Sequence, residues 1–255
     1  MMDCKKALEE SSGDFDKAIE VLRKKGQKVA ANRADRESSE GVVLAKVNSD
    51  NTSGIIISLN CETDFVAKNN DFLNFANEIL DIAENVNSIE DLLNSKVGDI
   101  SLSDKLIDQT GIIGEKIEIG NFQKLSGNYI GGYVHAGNKI AAMVALSNST
   151  QTSEEISKNV AMQVAAMNPL ALNENSVDSS IVEKETEIIK EQLVKEGRPE
   201  NIIDNIIVGK LKRFYKDNTL VRQSYIKDSK VSVEDYVKSI DKNLSITSFI
   251  RVSLV

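Results

Sequence analysis

The feature that most constrains this sequence is an order of patterns that occurs twice: two strands joined by a polar turn, then an amphipathic helix. Gly41–Val47 is strand-like, and Asn48–Ser53 is a turn of Asn, Ser, Asp and Thr. Gly54–Asn60 follows, with Ile55, Ile56, Ile57 and Leu59 as in a buried strand. Phe72, Phe75, Ala76, Ile79, Leu80 and Ala83 then recur at helical spacing within Asn69–Glu84. The order returns as strand Asn128–His135, turn Ala136–Asn138 and strand Lys139–Leu146. Helix Ser153–Met167 then has Ile156, Val160, Ala161, Val164 and Ala165 in phase. Two such units predict an α+β protein of two related β-hairpin–helix subdomains. The repeat is one of pattern, not of residue identity.

The flanking segments are helical. Asp3–Glu10 and Asp14–Lys25 read as two short helices broken by Ser11-Ser12-Gly13, with Asp14 as N-cap and Gly26 as the residue past the second C-terminus. Such a pair buries too little surface to fold alone. Gln27–Glu40 reads as a helical or flexible linker. Between the units lie short helices at Ile89–Asn94 and near Leu102–Thr110, and a strand Ile117–Leu125. Beyond the second unit, Ser180–Glu196 and Pro199–Lys216 form a helical pair, with Gly197-Arg198 as turn and Pro199 at the first helical position. Its stripe Ile202, Ile203, Ile206 and Ile207 is expected on the core. A strand Leu220–Ile226, a helix Val233–Ile240 and a strand Ser245–Leu254 close the chain. The expected division is a helical domain over 1–27, a linker over 28–40, an N-subdomain over 41–125 and a C-subdomain over 126–255 that includes the helical pair 180–216.

Composition narrows the function classes. Of 255 residues 41% are hydrophobic, enough for a packed core, and the net charge of −8 argues against a dedicated nucleic-acid binder. No apolar run reaches the roughly 18 residues of a membrane span, and the start has no signal core. Cys4 and Cys61 form no CxxC pair and read as reduced thiols of a cytoplasmic protein. A single histidine, His135, nearly rules out a His-based metal site and any triad not using it. No metal site and no cofactor is expected.

Three motifs remain. Gly132-Tyr133-Val134-His135-Ala136-Gly137-Asn138-Lys139 is a near miss of a phosphate-binding loop. Asn138 stands at the lysine position and Lys139 at the hydroxyl position, between two strands instead of a strand and a helix. It reads as a hairpin turn centred on Gly137-Asn138. His135 beside it would need a partner that the sequence does not identify. The third motif, Asn60–Lys68, joins a buried strand to a helix. Thr63 or Asp64 can be an N-cap with Phe65 packing inward as a staple. Alternatively Asp64 and Phe65 form an exposed wedge, the ring filling a partner's pocket while the carboxylate perturbs an ion site. The residues alone describe a binder rather than an enzyme.

Taken in order, the pieces resemble bacterial elongation factor Ts, the guanine-nucleotide exchange factor family for elongation factor Tu. Met1-Met2-Asp3-Cys4-Lys5-Lys6-Ala7-Leu8, with Gly13-Asp14 and Lys17-Ala18-Ile19, is similar to the family's N-terminal signature. Cys61-Glu62-Thr63-Asp64-Phe65-Val66 is similar to its second signature. Gly132–His135 with Lys139-Ile140, Val160–Ala166 with Pro169, Val182–Glu185 and Gly209–Phe214 extend the likeness over essentially the whole chain.

The resemblance implies a ubiquitin-associated-like helical segment, expected here to lack its first helix, before a core of two α+β subdomains with a protruding helical pair. It implies that Asp64 and Phe65 are the wedge, shaped by Thr63 and Val66, which disturbs the Mg²⁺ and phosphate site of elongation factor Tu and releases GDP. Met1, Met2, Ile113, Gly114 and His135 would be further partner contacts. It implies no bond chemistry, no direct nucleic-acid contact and no membrane contact; a homodimer or a 2:2 complex stays open. Gln163 stands where the family often carries a histidine. The competing reading is a ubiquitin-associated-type adaptor without exchange activity.

Overall fold

Both hairpin–helix patterns form three-stranded antiparallel sheets with a helix on one face, in a computed structural model that describes residues 2–254. The chain begins with α1 (Met2–Glu10), α2 (Phe15–Arg33), β1 (Glu40–Val47), β2 (Ser53–Cys61), α3 (Asp64–Ala67) and α4 (Asn70–Ala83). It continues with α5 (Ile89–Asn94), β3 (Lys96–Val97), β4 (Ile100–Ser101), α6 (Leu102–Ile113), β5 (Glu118–Ser126), β6 (Tyr129–Val134) and β7 (Ile140–Leu146). It ends with α7 (Ser153–Met167), α8 (Ser179–Lys195), α9 (Glu200–Asn218), β8 (Ser224–Tyr225), β9 (Asp228–Ser232), α10 (Val233–Ile240) and β10 (Ile246–Ser253).

One sheet runs β1-β2-β5 and the other β10-β7-β6. The second strand of each hairpin is therefore central and buried along nearly its whole length. Successive side chains point to opposite faces of a strand. In β2, Ile55, Ile57 and Leu59 meet Phe72, Phe75 and Ile79 of α4, while Ile56 faces the other sheet. In β7, Ala142, Val144 and Leu146 meet Ile156, Val160 and Val164 of α7, while Met143 joins Ile56, Val43 and Ile130 in the seam between sheets. The order of layers is helix, sheet, sheet, helix. Burial on both faces is why β2 and β7 read as unbroken apolar runs. The α+β class expected from the sequence is the class observed.

Several local expectations are corrected. The second helix does not stop at Gly26 but continues to Arg33, through half of the segment read as a linker. Gly26 is buried against Gly111 of α6, where a Cβ on Gly111 would lie 2.5 Å from the Gly26 Cα. The glycine permits a close helix crossing; it does not end a helix. The isoleucines of α9 do not pack on the main core: Ile203 and Ile207 close a separate small core with Ile189 and Leu193 of α8. In the segment Leu220–Ile226 only Ser224 and Tyr225 are paired as strand, with β9. The rest is held by backbone bonds from Leu220 and Val221 to the Ala171 and Leu172 carbonyls, and by the Gln223 side chain, which donates to the Met167 and Asp217 carbonyls. Pro199 caps α9 just ahead of its first residue. Asp14 is the N-cap expected, accepting from the Lys17 N–H at 3.1 Å. Among the described residues no helix is long and apolar enough to cross a membrane.

Candidate functional site

The loop leaving β2 is built from its backbone outward. Thr63 has extended backbone and caps the single-turn helix α3, its hydroxyl accepting from the Val66 N–H at 3.5 Å. Val66 and Ala67 turn inward onto the first core. The ring just before them goes the other way: Phe65 is 83% exposed. The inward staple is thereby overturned, because one helical turn that buries Val66 and Ala67 has no third inward face for Phe65. Asp64 lies beside the ring with its carboxylate accepting from Lys68 Nζ at 2.6 Å, and that hydrogen bond and charge lower its pKa.

A second segment holds this loop. α6 ends at Gly114, whose φ of +81° is the left-handed C-cap conformation that favours glycine. The chain then turns so that the Glu115 carboxylate accepts from the Glu62 N–H at 3.1 Å, the Thr63 N–H at 3.0 Å and the Thr63 hydroxyl at 2.6 Å. In return the Glu62 carboxylate accepts from the Lys116 N–H at 2.7 Å, Arg33 at 2.6 Å and Arg36 at 3.1 Å. Burial opposes the charge on Glu62, but these donors outweigh it and bring the pKa down to about 2. Beneath the loop, burial and then the Glu115 charge push the Cys61 thiol up to about 12, and that thiol donates to the Thr63 carbonyl at 3.2 Å.

The histidine turn stands next to this loop. The turn is closed by the Asn138 N–H donating to the His135 carbonyl, so Ala136 and Gly137 are its centre, not Gly137 and Asn138. Gly137 and Asn138 are both left-handed. The partner that the sequence did not identify for His135 is Tyr133, whose hydroxyl meets Nδ1 at 3.0 Å. The His135 side chain is otherwise exposed. Lys139 bonds Glu40 at the start of β1, its charge acts on Asp64, and the Glu40 charge acts on Lys68. Lys139, just past the turn, thus links the hairpin to the Asp64 loop through charge.

Other residues singled out in the sequence are placed differently. Met2 is exposed on α1, and Met1 lies outside the described residues. Ile113 packs partly against the first core, whereas its neighbour Ile112 is 76% exposed. Gln163 is fully buried, donating to Gln223 and the Ser224 carbonyl and accepting from the Ile226 N–H. It is an internal tie of α7 to the β8 turn. Sequence reasoning missed Glu115 and Arg33, because no spacing rule joins residues that meet only after folding; the Asp64–Lys68 pair, by contrast, stands at the local i,i+4 spacing. The near-miss phosphate loop connects β6 to β7, strand to strand. Among the described residues no group of three or more His, Cys, Asp or Glu side chains could hold a metal ion.

Comparison with known proteins assigns the chain to a family. The family model described as Elongation factor TS matches residues 62–255. The chain is 61% identical to Elongation factor Ts of Christiangramia forsetii over 254 residues, covering all of this chain and 93% of the relative. It is 59% identical to that of Flavobacterium psychrophilum with the same coverage. It is 42% identical to that of Porphyromonas gingivalis over 257 residues, covering all of this chain and 92% of the relative. Nothing in these relatives supports the adaptor reading. An exposed aspartate–phenylalanine turn on a two-sheet α+β core, with these relatives along its whole length, leads to one assignment: the chain belongs to the elongation factor Ts family of translation elongation factors.

Proposed function

We propose that this chain promotes GDP release from elongation factor Tu, with Asp64 and Phe65 as the intruding pair. The observation that carries the proposal is the 83% exposure of the Phe65 ring on a turn whose every other apolar side chain is packed. An exposed aromatic on a fixed turn costs stability nothing to insert and has its full apolar area left for a partner's pocket. Asp64 beside it supplies a negative charge that competes for the surroundings of a phosphate-bound Mg²⁺. Thr63 and Val66 shape the turn. Met1, Met2, Ile113, Gly114 and His135 provide further contacts to the partner.

The logic is linkage. A protein that binds nucleotide-free elongation factor Tu more tightly than the GDP complex weakens GDP by the same factor. Emptied elongation factor Tu then rebinds GTP. The chain makes and breaks no bond, so its residues bind and displace rather than catalyse. It works in the cytoplasm without direct contact to nucleic acid or membrane.

The test is release of a fluorescent GDP from elongation factor Tu with substoichiometric chain. Acceleration that turns over is expected, with Phe65→Ala strongly impaired and still folded. An unchanged release rate with the intact chain overturns the proposal.

A further inference from the structure

We propose that Glu62 and Glu115 form a crossed pair of carboxylate caps whose task is to position the Asp64–Phe65 turn. This rests on the exchange reading of that turn and extends it to residues that do not themselves face the partner.

The two carboxylates are exchanged between segments far apart in sequence. Glu115, just past α6, takes both backbone N–H groups and the hydroxyl at the entrance of α3. Glu62, at the end of β2, takes the backbone N–H of Lys116 next to Glu115. Each acid therefore fixes the backbone from which the other projects. Charge-assisted bonds of this kind are short and directional. Thr63 is the hinge of the arrangement: its hydroxyl donates to Glu115 at 2.6 Å while accepting from Val66 within α3. The rotamer that caps the turn is thus selected by Glu115. Arg33 at the end of α2 shares the Glu62 oxygen that takes the Lys116 N–H, and Arg36 beyond it takes the other. The depressed pKa of Glu62 agrees with a carboxylate that stays charged in this place.

A four-residue helix carrying an exposed aromatic has little of its own to hold it. Isolated helical turns are unstable in water. Phe65 contributes no packing to the fold, so the orientation of the turn depends on Val66, Ala67 and the caps. Loss of the caps leaves the ring present but misplaced. A misplaced ring still lets the rest of the surface dock but does not enter its pocket, so release slows more than binding weakens.

The experiment uses the full chain and three variants: Glu115→Ala, Glu115→Asp and Glu115→Gln. GDP release from elongation factor Tu is measured against chain concentration, giving a plateau rate and a half-saturating concentration, alongside Tm. Glu115→Ala is expected to lower the plateau rate per folded molecule roughly tenfold or more, with a smaller change in the half-saturating concentration. Glu115→Asp withdraws the acceptor by one methylene and is expected to fall between, and it carries the test if the alanine variant fails to fold. Glu115→Gln is expected to recover most of the rate, since its carbonyl can take both N–H groups and its amide can donate to Thr63. Plateau rates equal to that of the unaltered chain in the Ala and Asp variants overturn the proposal. If the unaltered chain does not accelerate release, the exchange reading fails instead. Amide hydrogen exchange then tests the clamp separately: Glu62 and Thr63 amides that exchange as fast in the unaltered chain as in Glu115→Ala overturn it.

Discussion

The connections from central strand to helix differ sharply between the two units, although the sheets they leave share one topology. In the first unit, β2 passes through residues 62–69 before α4, inserting α3 with its exposed ring and the two crossed carboxylates. In the second, β7 reaches α7 through residues 147–152, a polar turn closed by the Ser153 hydroxyl, which accepts from the Thr150 N–H and donates to the Asn148 carbonyl. That turn is polar throughout and offers no apolar group. The sheets and helices provide rigidity in both units, and only one unit uses it to present a side chain. Architecture and function separate at this connection.

Two phenylalanines in the first unit give the largest contrast. Phe72 of α4 is buried in the first core, and Phe72→Ala should cost about 3–5 kcal/mol of unfolding free energy. Phe65→Ala should change it by no more than about 0.5 kcal/mol, because the ring has no packing to lose. Denaturant unfolding of both variants measures this, and a large loss at Phe65 would erase the distinction between presented and packed aromatics.

The second unit can be broken by adding an atom. A Cβ on Gly131 of β6 would lie 1.9 Å from the Ser157 hydroxyl of α7. Gly131→Ala should therefore destabilise by about 1–3 kcal/mol, read in the same denaturation experiment. No loss would mean that α7 can move off its sheet.

The carboxylate caps of the first unit carry a signature in pH. The Glu62 pKa is depressed in the fold, so its contribution is complete above the ordinary carboxyl value and lost as pH falls toward about 2. The Tm difference between the unaltered chain and Glu62→Gln should be greatest near neutral pH and shrink below about pH 4.5. A difference independent of pH would show that Glu62 acts only by shape.

The smallest effect concerns the thiols. Cys61 is buried beneath the first unit's loop and Cys4 is exposed on α1. At about pH 8 an alkylating reagent should label Cys4 readily and Cys61 only on unfolding, with mass spectrometry as the readout. Ready labelling of Cys61 would mean that the loop opens.

Much of this protein was legible before folding, for reasons of short range. Alternation and helical period reveal β1, β2, α4, β6, β7 and α7, because burial of one face is written every second or every third to fourth residue. The N-caps Asp14 and Thr63 are likewise local. Family signatures singled out Thr63, Asp64, Phe65 and Val66, whose physics alone left an inward and an outward ring open. That choice belonged to the tertiary structure, because the direction of Phe65 depends on which neighbours Val66 and Ala67 already occupy. So did the passage of α2 through Gly26, which rests on Gly111 across the crossing, and the burial of Gln163. The crossed caps of Glu62 and Glu115 had no sequence signal of any kind. A hydrogen bond between residues brought together from distant parts of the chain has no period and no spacing, and exists only once the two segments share a place.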